Sequence, residues 1–301
     1  MQKDLNSFVE GLQANSNNEE TIYIEMAQNR YRWQRKFAGV KKEIEESTNY
    51  AQVVADKFDE YKKYIIEDQK GSLAEYVARR KSVLDLFDKL LGFDSENGNK
   101  DHLEKAVHEL ICPMRVDSHQ VTIEDHNLWI LDDRLAFFNF FASDRPISQF
   151  TDVKSDREPD IAFFYDRCLA WRESDRLCDT VILVEFKRPN LPTYSDKNDP
   201  YMQLMDYVAR FQSGETIRDR NGATIMGIGK HTSFQCYIVA DLTEGLKKRL
   251  RGRFQTTPDG NGLFGYTVAP DAYVEVIPYK KLLIDAQMRN SVFFQKLGLE
   301  N

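Results

Sequence analysis

Glu158-Pro159-Asp160-Ile161-Ala162-Phe163-Phe164-Tyr165 and, after a polar stretch, Val181-Ile182-Leu183-Val184-Glu185-Phe186-Lys187-Arg188-Pro189 decide how this chain is read. Ile161–Tyr165 and Val181–Phe186 are short, continuous apolar runs, the mark of strands covered on both faces. Because side chains alternate along a strand, Glu185 and Lys187 share a face with Val181 and Leu183, while Ile182, Val184 and Phe186 share the other. Both faces stay apolar until the last residues, where one turns to a carboxylate and an ammonium. Charges at the end of a buried strand cost on the order of several kcal/mol unless they are paired or bound to an ion. Pro189 then stops the strand, having no N–H to give to the ladder.

Asp160 stands at the mouth of the neighbouring strand. If the two strands pair through the polar loop Asp166–Asp179, Asp160 and Glu185 converge at one end of the sheet. Two carboxylates beside a lysine make a hard oxygen site suited to Mg²⁺. Such an ion activates water and neutralises charge on a phosphodiester, while Lys187 can position that water or stabilise the pentavalent state. A lone Glu-x-Lys is a common surface ion pair. The Pro-Asp pair about 25 residues upstream, the two apolar strands and the following helix make the pattern specific.

Around this centre, residues 99–301 alternate helix and strand. Asp101 to Ile111 reads as a short helix ended by Pro113, with Leu103, Val107, Leu110 and Ile111 on one side. Leu128–Leu131 and Leu135–Phe141 read as paired strands with Asp132-Asp133 at the turn. Pro200 to Gln212 is helical, with Tyr201, Leu204, Met205, Val208 and Phe211 as its buried stripe. Phe234–Ala240 is a strand, Glu244–Arg253 a basic helix, and a hairpin around Pro270-Asp271 precedes a terminal helix from Lys280 to Leu297. This order predicts an α/β core, a mixed sheet flanked by helices.

Residues 1–98 differ. They contain no proline and are rich in Glu, Lys, Gln and Asn. From Val40 to Leu91 apolar residues recur at helical spacing, with Val53, Phe58, Tyr61 and Ile65 followed by Leu73, Val77, Val83, Leu86 and Leu90. Lys70-Gly71-Ser72 reads as a break, with Ser72 as N-cap and Glu75 completing a capping box. Gly92 to Lys100 is then the domain boundary, and the amphipathic stripes predict self-association through residues 40–91. Arg30, Arg32, Arg35, Lys36, Lys41 and Lys42 surround Tyr31, Trp33 and Phe37, a pattern that grips single-stranded nucleic acid or forms a solvated helix face with its aromatics turned inward.

The chain has 301 residues, 42% hydrophobic, and a net charge of −7. That is enough apolar material for a core and excludes a mainly disordered chain. An acidic balance excludes indiscriminate polyanion binding, so nucleic-acid contact must come from a local basic patch. No run approaches the ~20 apolar residues of a membrane span, and no signal-peptide pattern opens the chain, so a cytoplasmic protein without membrane contact is expected. Cys112, Cys168, Cys178 and Cys236 lie in or beside apolar stretches without a CxxC pair and are expected as buried free thiols. Asp125-His126-Asn127 lacks the Cys or His framework of an HNH centre and reads as a loop before Trp129. Gly227-Ile-Gly-Lys230-His-Thr-Ser lacks phosphate-loop spacing and reads as a plain turn.

Pro159-Asp160 with Glu185-Phe186-Lys187 resembles the PD-(D/E)xK nuclease superfamily. Gln203 and Tyr207, at i and i+4 on the next helix, resemble the QxxxY signature of several of its branches. The stretch Glu185-Phe-Lys-Arg-Pro189 with its Gln-containing helix is similar to nuclease domains of bacterial anti-phage systems, both Shedu-like effectors and nucleases attached to GHKL-type ATPases. The resemblance covers residues 99–301. It implies a restriction-endonuclease-like core and metal-dependent DNA cleavage with Mg²⁺, or Mn²⁺ in its place. Asp160, Glu185, Lys187 and Gln203 would form the catalytic centre, joined by a carboxylate of the first core helix, Glu104 in preference to Glu109. Asp160, Glu185 and Glu104 would be the metal ligands.

Arg188, Tyr207 and the basic run Lys247, Lys248 and Arg249 are the candidate nucleic-acid contacts. By analogy the nuclease would act as a homo-oligomer, with residues 1–98 mediating assembly or joining a sensor or ATPase module. The alternative is a catalytically silent module of the same fold that binds nucleic acid or a nucleotide ligand.

Overall fold

The structure, a computed structural model, describes residues 19–46, 50–92, 101–138, 140–165, 177–214, 216–218 and 221–299. Its helices are α1 (Glu19–Glu46), α2 (Tyr50–Leu91), α3 (Asp101–Ile111), α4 (Pro200–Ser213), α5 (Glu244–Leu250) and α6 (Tyr279–Leu297). Its strands are β1 (Val116–Asp117), β2 (Phe140–Ser143), β3 (Ile161–Tyr165), β4 (Leu177–Phe186), β5 (Thr216–Arg218), β6 (Thr224–Val239), β7 (Gln255–Thr256), β8 (Leu263–Val268) and β9 (Asp271–Ile277). The chain divides into two compact units, Met1–Asp85 with Gln287–Asn301, and Leu86–Ala286.

In the first unit, α1 presents Tyr31, Arg32, Arg35 and Lys36 to solvent, so Tyr31 is not turned inward as the amphipathic reading expected. Trp33 and Phe37 side chains lie outside the described residues. Helix α2 runs without interruption through Gly71 and Ser72, which corrects the expected break. A mid-helix glycine costs only about 1 kcal/mol, and the helix formers on both sides of it carry the turn through. Val77, Ala78 and Leu84 are buried, and Arg80 Nη1 donates to Asn290 Oδ1 at 2.9 Å. Of the expected boundary Gly92–Lys100, only Gly92 lies within the described residues.

The second unit is an α/β layer structure. Among the described residues its mixed sheet has nine strands in the order β1-β2-β3-β4-β6-β9-β8-β7, with β5 pairing β6. Strands β4, β6 and β9 are mutually parallel and their neighbours antiparallel. A parallel pair needs a long crossover, which α4 supplies between β4 and β6. Asp199 caps α4 by accepting from Tyr201 N and Met202 N at 3.0 and 3.2 Å, and Pro200 takes the first helical turn, where its missing N–H costs nothing. The helix buries Leu204, Met205, Tyr207, Val208 and Phe211 against the sheet face carrying Val181 and Leu183. Phe211 packs on Phe150 and Phe164 with ring centroids 6.1 and 5.6 Å apart.

Leu128–Ile130 and Asp133–Phe137 are 3₁₀ turns, not the expected paired strands, and β2 begins only at Phe140. Leu128, Trp129 and Ile130 are all buried, so the run has no exposed face to betray its local i→i+3 bonds, and Asp132 caps the second turn through Arg134 N at 2.8 Å. The glycine-containing stretch expected as a plain turn lies inside β6. There Cys178 pairs with Ile228 but Thr180 with Ser233, so the surplus residues bulge out of the ladder. Thr232 Oγ1 donates to the Cys178 carbonyl at 2.6 Å and ties the bulge down. Helix α5 ends at Leu250, short of the expected Arg253. The late hairpin and the terminal helix form where expected. Asp125 turns back to accept from Thr122 N at 2.7 Å, so Asp125-His126-Asn127 is a loop. Cys112, Cys178 and Cys236 are buried free thiols; Cys168 lies outside the described residues. Among the described residues no helix is long and apolar enough to cross a membrane.

Helix α5 presses on the loop that follows β4. Thr243 Oγ1 donates to the Leu191 carbonyl at 2.7 Å, and a β-carbon at Gly245 would collide with the Pro192 carbonyl. Gly245→Ala should therefore lose about 1–3 kcal/mol of unfolding free energy in urea titrations, because backbone rather than a flexible side chain must move. Stability within about 0.5 kcal/mol of the parent would show that the loop yields freely.

Candidate metal and phosphodiester site

The register of three strands assembles the centre. Ser143 pairs with Ile161, and Ile161 with Val184, so one further step sets Asp160 beside Glu185 at the end of β4. Phe186 N donates to Asp160 Oδ2 at 2.6 Å, which fixes that carboxylate across the strand ends. Lys187 Nζ donates to Glu185 Oε1 at 2.6 Å, with Glu185 3% and Lys187 7% exposed. Glu185 Oε2 is buried and has no hydrogen-bond partner. From α3, Glu104 Oε2 accepts from Arg188 N at 2.6 Å, whereas Glu109 is exposed and pairs with Lys105 at 3.6 Å. Of the two helix carboxylates, Glu104 is the one at the strand end.

Contacts from distant segments hold this end in place. Tyr279 OH donates to the Lys187 carbonyl at 2.7 Å, and Lys187 N donates to the Val239 carbonyl at 3.0 Å. Asp241 accepts from Asn190 N at 2.8 Å and from Tyr279 N at 3.3 Å, joining the loop after β4 to the start of α6. Asn190 has φ +55°, a left-handed conformation that asparagine tolerates better than most residues. Tyr207 is buried, and its hydroxyl donates to the Glu158 carbonyl at 3.0 Å. Tyr207, expected as a nucleic-acid contact, thus steadies the segment that delivers Asp160 and has its ring buried. Tyr279 and Asp241 were not legible as site supports, since a tyrosine after proline and an aspartate after a strand carry no distinctive spacing.

Gln203, one turn before Tyr207 on α4, has a buried Oε1 without a partner. Arg188 is half-buried and Lys248 exposed. Lys247 pairs with Glu244 at 3.0 Å. Arg249 donates to Asp196 at 2.6 Å and to the Tyr194 carbonyl at 2.8 Å, so it cross-links the loop before α4.

The charge balance is unequal. Burial, then the charge of Asp160, pushes the Glu185 carboxyl up, with Lys187 opposing; Asp160 is raised by burial, against Lys187 and the Phe186 N–H. Burial pulls the Lys187 ammonium down, but Glu185 and Asp160 outweigh it and leave it raised. One ammonium thus faces two shielded carboxylates, with Glu104 adding a third negative charge. Such a cluster draws a proton or a cation. Burial holds His108 neutral, lowered to about 4, with its Nε2 3.0 Å from Ser143 Oγ and its ring on Phe186.

Among the described residues no three His, Cys, Asp or Glu side chains already stand as a metal cage. One oxygen each of Asp160, Glu185 and Glu104 is engaged by Phe186 N, Lys187 and Arg188 N. The donor set nevertheless fits a hard divalent ion: carboxylate oxygens, an excess of negative charge, and in Glu185 Oε2 a buried oxygen lacking any donor.

Asp160→Asn leaves Glu185 and Lys187 as a balanced pair and keeps an oxygen for Phe186 N. A carboxyl raised in the folded state lowers stability as pH climbs from its ordinary range through the raised value. Without divalent ions, the variant should exceed the parent in unfolding free energy by about 1–3 kcal/mol at pH 8, the gap closing toward pH 4. A variant less stable than the parent at pH 8 would contradict this electrostatic account.

No protein family, curated protein or solved structure matches the chain.

Proposed function

We propose that this chain is a metal-dependent deoxyribonuclease of the PD-(D/E)xK type that hydrolyses phosphodiester bonds, acting in the cytoplasm as the effector of a bacterial anti-phage system. The observation that carries the reading is the buried pair Glu185 and Lys187 at the end of β4 with the half-buried Asp160 beside it, and the Glu185 oxygen that no protein group satisfies. Asp160, Glu185 and Glu104 would hold Mg²⁺ or Mn²⁺. A bound ion of this kind supplies a water nucleophile at neutral pH and offsets charge on the phosphoryl oxygens.

The remaining work falls to the chain itself. An ammonium has donors only, so Lys187 is no ligand; its N–H groups orient the attacking water or meet charge developing on phosphorus. Gln203, with its amide oxygen unsatisfied, orients water or substrate from α4. Glu104 holds the Arg188 N–H, and Tyr279 the Lys187 carbonyl, so Lys187 works from a fixed backbone. Arg188 and Lys248 supply positive charge toward DNA on an otherwise acidic protein. A homo-oligomer, with residues 1–98 mediating assembly or joining a sensor or ATPase module, completes this reading.

Plasmid cleavage by the full chain in Mg²⁺ or Mn²⁺ tests it. Asp160→Ala and Glu185→Ala should abolish cutting while leaving the protein folded. Lys187→Ala should keep metal binding by calorimetry yet lose about 10²-fold or more in turnover, the sign of an interaction made in the transition state. Lys187→Arg should rescue incompletely, since a planar guanidinium does not replace a compact charge. Wild-type rates in both carboxylate variants would refute the assignment, and an inert wild type that still binds DNA would make the domain a silent binding module.

A further inference from the structure

The row of residues that carries Asp160 and Glu185 extends two strands further. Stepping one residue past the pairs Val116–Ser143 and Ser143–Ile161 aligns Arg115, Asp144, Asp160 and Glu185 across β1, β2, β3 and β4. The main chain bears this out, since Asp144 N donates to the Asp160 carbonyl at 2.9 Å. Arg115 Nε lies 3.4 Å from Asp144 Oδ2, with the arginine 86% and the aspartate 15% exposed. The aspartate is thus turned toward the centre, and its charge reaches Asp160.

Both members of this pair sit in the left-handed region, Arg115 at φ +61° and Asp144 at φ +48°. That conformation costs an L-residue with a β-carbon more than a loose, solvent-exposed ion pair returns. The pair is not needed to hold the β1–β2 edge, which is already fastened by the ion pair of Arg145 with the buried Asp117. The strained backbone instead sets an arginine on an anchored base at the rim of the carboxylate row. Its Nε faces Asp144, and the side chain as a whole stays 86% exposed. A guanidinium presented this way matches the paired oxygens of a phosphate.

We infer that Arg115, positioned by Asp144, grips a backbone phosphate of the nucleic-acid substrate beside the Asp160–Glu185 centre. This rests on the nuclease reading and names a substrate contact for it. A phosphate contact of this kind steadies the strand without reading its sequence. It also supplies local positive charge where the carboxylates would otherwise repel a polyanion.

The test uses the full chain and a fluorescein-labelled DNA duplex. Binding is followed by anisotropy in Ca²⁺ from about 50 to 200 mM salt, and cleavage in Mg²⁺. Arg115→Ala should weaken binding about tenfold and lower the slope of log K against log salt by about one. Turnover at saturating DNA and the metal titration should stay at wild-type values. Arg115→Lys should recover the slope but only part of the affinity. Unchanged affinity and slope in Arg115→Ala, alongside normal cleavage, would overturn this inference and leave the nuclease reading standing. Loss of metal binding in Arg115→Ala would overturn it too, by placing the residue inside the centre. A wild type that binds with the arginine-dependent slope but does not cut would uphold the phosphate contact and refute the nuclease. A wild type that neither binds nor cuts would refute both.

Discussion

Lys187 and Glu185 pair inside the protein at the end of a strand that is apolar from Val181 to Val184, with the half-buried Asp160 beside them. One ammonium cannot neutralise two carboxylates. Burial and the charge of Asp160 raise the Glu185 carboxyl, so a proton or a cation would relieve the surplus charge. A core built for stability alone would place leucine or methionine there, since replacing a buried ion pair by apolar side chains of similar volume is often neutral or stabilising. Keeping charge in this position makes sense when the charge has a task.

Much of the surrounding architecture keeps that enclosure in register. The antiparallel pairing of β3 with β4 sets Asp160 beside Glu185, and parallel β6 secures the Lys187 amide. Helix α4 packs on the face of β4 that carries the charges, with Tyr207 bonding back to the segment before Asp160. Glu104 from α3 and Tyr279 from α6 take the amide and carbonyl that the strand no longer pairs once it passes its last ladder residue. Satisfying those backbone groups matters, because an unpaired polar group in a shielded site costs as much as a lost hydrogen bond. The strained Asn190, Asp144 and Arg115 cluster around the same sheet end, where unusual backbone conformations are commonly retained for a purpose.

Strand β3 spans the very residues its apolar run marks, and β4 ends where the charged face and Pro189 require. Helix α4 was legible from its buried stripe after Pro200. These are local signals, set by period and by the punctuation of proline. Legibility stopped where one pattern serves two structures or where partners lie far apart in the chain. The run Leu128–Ile130 is buried all round, so a tight helical turn and a strand look alike. Gly71 looks like a break but sits in a helix where no neighbour penalises it. Glu104 meets Arg188 across 84 positions, and Tyr279 meets Lys187 across 92. No window of sequence contains either contact, and the resemblance that favoured Glu104 over Glu109 worked from motif position alone.

The central claim is that the shielded carboxylates exist to receive a divalent ion. Calorimetric titration of Mn²⁺ into the full chain at pH 7, in buffers of differing ionisation heat, reads both binding and the protons it displaces. The account predicts a saturable site whose occupation releases protons and which Glu185→Gln abolishes. Absence of binding, or binding that releases no proton and survives Glu185→Gln, would contradict it.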